Sequence, residues 1–314
     1  MVVAPFTLTC LVLATLFVAV LPIMLFRRLR RPLGLNGRDA IAGIAVFALC
    51  AMVIERAVNG FVLHWQATAT WLSNPLTFVI YGALVAGVCQ EGGRFVAMRL
   101  MWRRAMAGKA DMQAPGAASH ASAATAATAA TAATPMTNAQ SATAKKLARA
   151  ARPRKAPATS TGDSTALGYG IGHGGAEAWF VGVLVEIQWI VFAVVENRGQ
   201  LDTYLVNVPV DSMMRIHLIL ASLSPQTAGI FVVERAASLV IQIGLSVLMW
   251  RGVRAGWRGI LLLAIVAHAL VEVPAALFQA RLLPLAAVDG LYALLALIVA
   301  GVLIRIFSRT AQTA

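Results

Sequence analysis

Charged side chains lie inside stretches of this sequence that are otherwise apolar. The richest stretch, Gly168–Glu177, places a histidine and a glutamate four residues apart. A charged group at the centre of a membrane helix costs about 2.5–3.5 kcal/mol on insertion scales, so such groups usually have a function. Three pairs of this kind occur: Glu91 with Arg94, His173 with Glu177, and His268 with Glu272.

The spacing of each pair puts both members on one face of a helix, because residues three or four positions apart are neighbours on its surface. That face is expected to point into a helix bundle, since a charge facing lipid is costly. At a rise of 1.5 Å per residue, Glu91 and His173 lie roughly 12 Å from the cytoplasmic ends of their helices, and His268 lies roughly 15 Å from its own. The three side chains are therefore predicted to share one layer.

Carboxylates and imidazoles in one buried layer can do acid–base chemistry. A desolvated glutamate gains the basicity of a general base, and a neutral imidazole can hold a water or donate to a developing negative charge. The competing interpretation is that the pairs are internal ion pairs and polar contacts between helices. Glu234 shares a helix face with Ser238 and Gln242. We give it a supporting role, pairing with Arg235 or covering the site.

The elements that position these groups are membrane helices. The chain has 314 residues, of which 59% are hydrophobic and 12% charged, whereas a soluble domain carries about 25% charge. Apolar runs of 18 or more residues recur and predict an all-α, polytopic transmembrane bundle. The net charge of +13 is concentrated at the ends of these runs. That distribution is typical of membrane topology and argues against nucleic acid as a partner.

Seven spans are predicted, at about 5–26, 39–57, 76–98, 165–195, 230–250, 259–280 and 285–306. The loops between them alternate between arginine-rich and arginine-poor, which predicts the N-terminus outside and the C-terminus inside the cell. Residues 1–106 hold spans one to three and residues 164–314 hold spans four to seven. Residues 107–163, rich in Ala and Thr and ending in a basic run, are predicted to be a disordered cytoplasmic linker. A segment near 205–224 is predicted to be an interfacial helix.

The motifs resemble a known family. The sequences Gln90-Glu91-Gly-Gly-Arg94, Gly-His173-Gly-Gly-Ala-Glu177, Glu234-Arg235 and His268-x-x-x-Glu272 resemble the YhfC family. That family is similar to the glutamic-type intramembrane endopeptidases that process prenylated proteins or confer bacteriocin immunity. The resemblance implies a hydrolase without metal or other cofactor. It implies that Glu91 is the general base, that His173 holds the water and that His268 lies by the oxyanion. Gln90 stands where the wider group has a second carboxylate.

Two other functions remain open from the residues alone. Histidine and carboxylate ligands suit catalytic zinc, so His173 and His268 with Glu177 or Glu272 are alternative zinc ligands. A transporter or an inactive binding protein could use the same polar pocket. The preferred hypothesis is an endopeptidase of the bacterial inner membrane. It would act on a membrane-associated polypeptide near the cytoplasmic face, through a pocket that opens toward the cell interior.

Overall fold

The structure, a computed structural model, describes residues 2–113 and 162–312. Throughout these two ranges the regular elements are helices, and seven are long and apolar enough to cross a membrane. They are Pro5–Arg30, Gly37–His64, Pro75–Gly108, Asp163–Asn197, Pro225–Arg254, Ile260–Gln279 and Leu285–Ser308, called spans one to seven below. This confirms the predicted fold class and the number of spans. The protein is an integral membrane protein.

The outer surface of the bundle is apolar. Leu13, Leu262 and Leu297 are exposed by 61%, 66% and 72% of their surface. Large exposed hydrophobic side chains on every face are unfavourable in water but match a lipid environment. The helices extend a few residues beyond the predicted spans, into segments such as Arg27–Arg30. Arginine has high helix propensity and extends its charge to the interface, so the helix continues past the hydrocarbon.

The first half of span four is enclosed by the neighbouring helices. Every residue from Thr165 to Ala176 is buried. A Cβ added at Gly172 would lie 2.0 Å from the backbone oxygen of Ala40 in span two, and one added at Gly170 would lie 2.8 Å from Ile243 in span five. Glycine therefore permits these backbones to touch, as in small-residue packing of membrane helices. The stretch is a continuous helix, Asp163–Glu177.

Two spans change their helical geometry near the polar residues. Span two passes from an α-helix at Gly37–Leu49 to a π-helix at Cys50–Glu55 and back to an α-helix at Arg56–His64. Span four has a π-helix at Ala178–Val183, followed by an α-helix at Leu184–Asn197. A π-segment adds a residue to one turn and so re-aims the side chains beside it, and such segments are frequent at functional sites. Glu55 and Glu177 lie at the boundaries of these two segments.

Shorter helices connect the spans at one end of the bundle. They are Gln66–Leu72, Leu201–Tyr204 and Val210–Ser222. The last of these coincides with the segment predicted near 205–224. Ser224 caps the start of span five through a reciprocal hydrogen-bond pair with Thr227.

The predicted linker, 107–163, lies mostly outside the described residues. The helix that contains span three continues from Pro75 to Gln113, and span four already begins at Asp163. Met1–Met98 and Gly162–Ala314 form one compact unit, which contains all the side-chain interactions described below.

Candidate functional site

Glu91 of span three and His268 of span six meet in the bundle interior. His268 Nδ1 lies 2.7 Å from Glu91 Oε1, and Arg94 Nη1 donates to the same oxygen. Glu91 and Arg94 have no exposed surface, and His268 has 1%. Ions this deeply buried are stable only when they are paired and hydrogen-bonded. The Arg94 guanidinium, the neighbour expected from the spacing of three residues, thus stabilises the Glu91 carboxylate.

Gln242 of span five extends this network to span four. Its Oε1 accepts from Arg94 Nη2, and its Nε2 donates to Glu177 Oε2 at 2.6 Å. Ser238, one turn away on the same helix, donates to Glu177 Oε1. Side chains from spans three, four, five and six are therefore joined in one hydrogen-bonded series, which fixes their relative positions.

His173 lies behind the wall of aromatic side chains beside this network. Its ring packs edge-on against Phe47, with centroids 5.3 Å apart, and stacks on Tyr169 at 5.9 Å. Arg94 and His268 are near enough to act on it electrostatically. Neither ring nitrogen makes a hydrogen bond of good geometry within the described residues. The structure thus brings Glu91 and His268 into contact, whereas His173 is held beside them by aromatic packing.

A polar cavity of about 490 Å³ lies next to this network. Its volume falls within the range of ligand-binding pockets. His268 lines it, whereas Glu91 and His173 do not. Glu91 lies directly behind His268. The polar and charged side chains of the wall are Glu55, Arg56, Gln90, Glu177, Glu234, Arg235, Ser238, Gln242, His268, Glu272, Gln279 and Tyr292.

Of the predicted supporting residues, Glu177, Glu234 and Glu272 line this wall, whereas Arg94 does not. Glu272 Oε1 lies 3.7 Å from His268 Nε2, on the side of the ring opposite Glu91. Glu234 accepts from Arg235 Nη2 at 2.5 Å. A second cavity of about 230 Å³ shares Glu55, Glu272 and Gln279 with the first. The two cavities therefore adjoin along spans two, three and six.

The position of the cavities along the bundle can be described relative to its arginine-rich loops, while the predicted opening toward the cell interior remains a prediction. We call the end of the bundle near segments 27–38, 251–258 and 305–308 the arginine-rich end. Spans two, four and six start there and line the larger cavity with residues between 47 and 56, 177 and 185, and 268 and 279, from near their middle onward. Spans three and five run toward that end and contribute residues between 86 and 90 and between 234 and 245, before they reach it. The cavities thus extend from the middle of the bundle toward the arginine-poor end.

The physical reason is the packing of span four. Its buried glycines bring spans two and five into backbone contact in the arginine-rich half. Asp163 adds ion pairs there with Arg251 at 2.6 Å and Arg254 at 3.1 Å. Depth counted along the helices put the three side chains in one layer, but it could not show which half of the bundle packs closely. The gaps between helices that leave room for a cavity are tertiary features.

Glu55 is the wall residue that the sequence interpretation missed. Its Oε2 accepts from Gln90 Nε2 at 3.3 Å. It acts electrostatically on Glu272, His268 and Glu177. A carboxylate inside an apolar run was the available signal, but Glu55 stands next to Arg56 at the predicted end of span two. At that position, Glu55 and Arg56 together have the pattern of an ordinary ion pair at the membrane interface.

The predicted alternative zinc ligands are not gathered around one point. A catalytic zinc takes three protein ligands, and within the described residues no three His, Cys, Asp or Glu side chains form such a group. Both oxygens of Glu177 are occupied by Ser238 and Gln242, and Arg94 places a cation beside Glu91. Of the four, His268 and Glu272 are 3.7 Å apart. The arrangement as it stands does not fit a zinc ion.

Comparison with known proteins gives the family. A family model described as YhfC intramembrane metalloprotease matches residues 17–117 and 154–293. The Bacillus subtilis (strain 168) protein described as uncharacterized membrane protein YhfC is 27% identical over 279 residues, which are 88% of this chain and 87% of that protein. No solved structure matches the chain. The resemblance seen in the Gly-His-Gly-Gly-x-Glu block and its partner motifs is thereby confirmed, and the chain belongs to the YhfC family of intramembrane metalloproteases.

Proposed function

We propose that this protein hydrolyses a peptide bond of a membrane-associated polypeptide, with the Glu91–His268 pair as the group that activates water. The observation that carries the proposal is the 2.7 Å contact between a fully buried carboxylate and an imidazole that lines the polar cavity. The family description, an intramembrane protease, supports the reaction class. The glutamate-activated mechanism is the part that we add.

The pair has the geometry of a base with its orienting group. If the neutral ring of His268 donates from Nδ1 to Glu91, its Nε2 is unprotonated and faces the cavity side, where Glu272 also lies. A water in the cavity can attack a carbonyl carbon while its proton passes to Nε2. The resulting imidazolium is stabilised by the Glu91 carboxylate. Glu91 therefore activates water through His268 instead of by direct contact.

The same proton completes the reaction. Collapse of the tetrahedral intermediate breaks the C–N bond, and the leaving amine takes the proton from His268 Nε2. The products are a new carboxyl terminus and a new amino terminus, and the neutral imidazole is restored. Arg94 keeps Glu91 in its charged form throughout, because the guanidinium stays hydrogen-bonded to it.

His173 has no step in this proposal, since its ring packs between Phe47 and Tyr169 outside the cavity wall. Its predicted role as the residue that holds water remains a prediction. His173→Ala tests it against His268→Ala. If only His268 takes part directly, His268→Ala lowers kcat by about 10²–10⁴-fold. His173→Ala then lowers kcat only as far as it lowers the folded fraction.

The test of the function is a comparison of membranes that contain the wild-type protein or Glu91→Gln. The glutamine keeps an oxygen that can accept from His268 but removes the charge that stabilises the imidazolium. Quantitative proteomics is expected to show a precursor polypeptide that accumulates in the variant and its cleaved fragment only with the wild type. Identical fragment profiles at equal protein levels contradict the proposal.

Metal analysis of the purified protein separates the glutamate route from a metal route. The family description favours a metalloprotease, whereas the ligand geometry described above favours a reaction carried by side chains. We expect cleavage to persist after dialysis against a strong chelator. Stoichiometric zinc whose removal abolishes cleavage would require His268 and the wall carboxylates to rearrange, and would replace the mechanism proposed here.

A further inference from the structure

The larger cavity continues toward the arginine-poor end of the bundle. The smaller cavity adjoins it there, lined by Asn59 and Leu63 near the end of span two and by Phe78 near the start of span three. Gln279 is the last residue of span six, is exposed and lines both cavities. The two adjoining cavities are therefore lined by residues from His268, near the middle of span six, to Gln279 at its end.

Among the described residues, the first half of span four is closely packed at the arginine-rich end. The buried run Thr165–Ala176 fills that half of the bundle between spans two and five. Ser246, two turns nearer the arginine-rich end than Ser238 on the same helix, has no exposed surface, whereas Ser238 lines the cavity. Spans two and four widen into π-helices at Cys50–Glu55 and Ala178–Val183, on the cavity side of this closed half.

Charge distribution orients the two ends. Arginine-rich loops remain on the cytoplasmic side of bacterial membrane proteins. The described loops at the other end carry few basic residues, with Arg198, Arg215 and Arg281 among them. By this rule the cavities face the extracytoplasmic side.

We infer that the two adjoining cavities are the route by which substrate reaches His268, and that this route opens on the extracytoplasmic side. That the route carries a substrate rests on the proposed function, whereas the existence of the route does not depend on catalysis. The substrate class that follows is a membrane-anchored polypeptide whose cleaved segment lies in the outer half of the bilayer. From Gln279 to His268 the segment must reach in by about 16 Å, at 1.5 Å per helical residue.

Cysteine labelling in oriented membrane vesicles tests the route. The native Cys10, Cys50 and Cys89 are first replaced by alanine, and single cysteines are introduced as Gln279→Cys, at the proposed mouth, or Ala275→Cys, one turn deeper on the same face. Val85→Cys, on span three, probes the smaller cavity if Ala275→Cys does not fold. Ala255→Cys, exposed between spans five and six, is the control for the opposite end.

A membrane-impermeant maleimide is expected to label the mouth and the deeper positions in right-side-out vesicles, and Ala255→Cys only in inside-out vesicles. Labelling of the mouth only in inside-out vesicles overturns the extracytoplasmic opening. Labelling at Gln279→Cys with protected Ala275→Cys and Val85→Cys overturns the continuous route. Neither result depends on cleavage, so each is distinct from a failure of the proposed function.

Cleavage then links the route to the reaction. Once the precursor found with Glu91→Gln is known, full labelling of Ala275→Cys is expected to stop its processing, whereas full labelling of Ala255→Cys leaves processing intact. Continued processing after complete modification at residue 275 contradicts the assignment of these cavities to the substrate.

Discussion

Arg94 joins two parts of the buried polar network. One guanidinium nitrogen donates to Glu91 and another to Gln242, and the side chain has no exposed surface. Removing one partner of a buried ion pair leaves an uncompensated charge, which costs about 3–5 kcal/mol. Removing both partners costs less, because no isolated charge remains.

Arg94→Met and Glu91→Gln are therefore each expected to destabilise the protein, and the double variant is expected to lose less than the sum of the two. Thermal unfolding of the purified protein in detergent measures this. Arg258→Met, at an exposed position, is the control for loss of a positive charge alone. Equal melting temperatures for Arg94→Met and the wild type would mean that the buried pair contributes nothing to the fold.

His217 holds together the helices at the arginine-poor end. Its two ring nitrogens lie 3.0 Å from Asp202 and 3.0 Å from Glu196, residues of two preceding helices. The hydrogen bond to Asp202, followed by that to Glu196, raises the pKa of His217 above its usual 6.5. Because the folded pKa exceeds the unfolded one, the stabilisation is complete below pH 6.5. It is lost as the pH rises through the folded pKa.

His217→Gln is therefore expected to lower stability at pH 6 and to have little effect at pH 9. Because the side chain is partly exposed, the loss should not exceed about 1 kcal/mol. Histidine-selective NMR titration in micelles measures the pKa directly, and Asp202→Asn should lower it. A titration midpoint of His217 that Asp202→Asn leaves unchanged contradicts the assigned hydrogen bond.

At the scale of whole elements, glycines decide how closely the helices approach. A Cβ at Gly172 would meet the backbone oxygen of Ala40 at 2.0 Å, and one at Gly43 would meet that of Tyr169 at 2.2 Å. Backbone atoms cannot move aside as the end of a flexible side chain can. A methyl group at either position therefore has to separate spans two and four.

Gly172→Ala is expected to destabilise the protein by about 1–3 kcal/mol, the usual cost of overpacking. Gly229→Ala is the matched control, because it lies in a helix with no atom within 4 Å of the added Cβ. There the better helix propensity of alanine should stabilise the protein by up to about 1 kcal/mol. Unfolding curves in the same detergent compare the two, and equal shifts would argue against a tight contact of spans two and four.

These elements also show what the sequence can and cannot predict. Hydrophobic length alone located the seven spans, because a helix must be apolar over the whole hydrocarbon thickness. The pairing of Glu91 with Arg94 follows from helical spacing. The contact of Glu91 with His268 depends on the rotation of two helices, which spacing only restricts. The π-helices at Cys50–Glu55 and Ala178–Val183 have no clear sequence signature, and they are where Glu55 and Glu177 join the wall.

At the scale of the whole molecule, the described part of the bundle is closely packed around the first half of span four and lines a cavity around the second half of span six. Span five passes through both halves and carries two serines on one face, eight residues apart, about 12 Å along the helix. Ser246 is fully buried and donates to Gln242 of its own helix at 2.8 Å. Ser238 lines the larger cavity. Cysteine is nearly the size of serine, so both positions can report solvent access with little disturbance.

Ser238→Cys is therefore expected to react readily with a small water-soluble thiol reagent, and Ser246→Cys to remain protected until the protein unfolds. The reaction is followed by mass spectrometry in a background that lacks the native cysteines, with denatured protein as the measure of full labelling. A protected Ser246→Cys means that water enters the bundle from the arginine-poor end and stops near the layer of His268. Equal labelling rates at the two positions would mean that the glycine-packed half is open to water. The close packing that keeps the Glu91–His268 pair buried would then be absent.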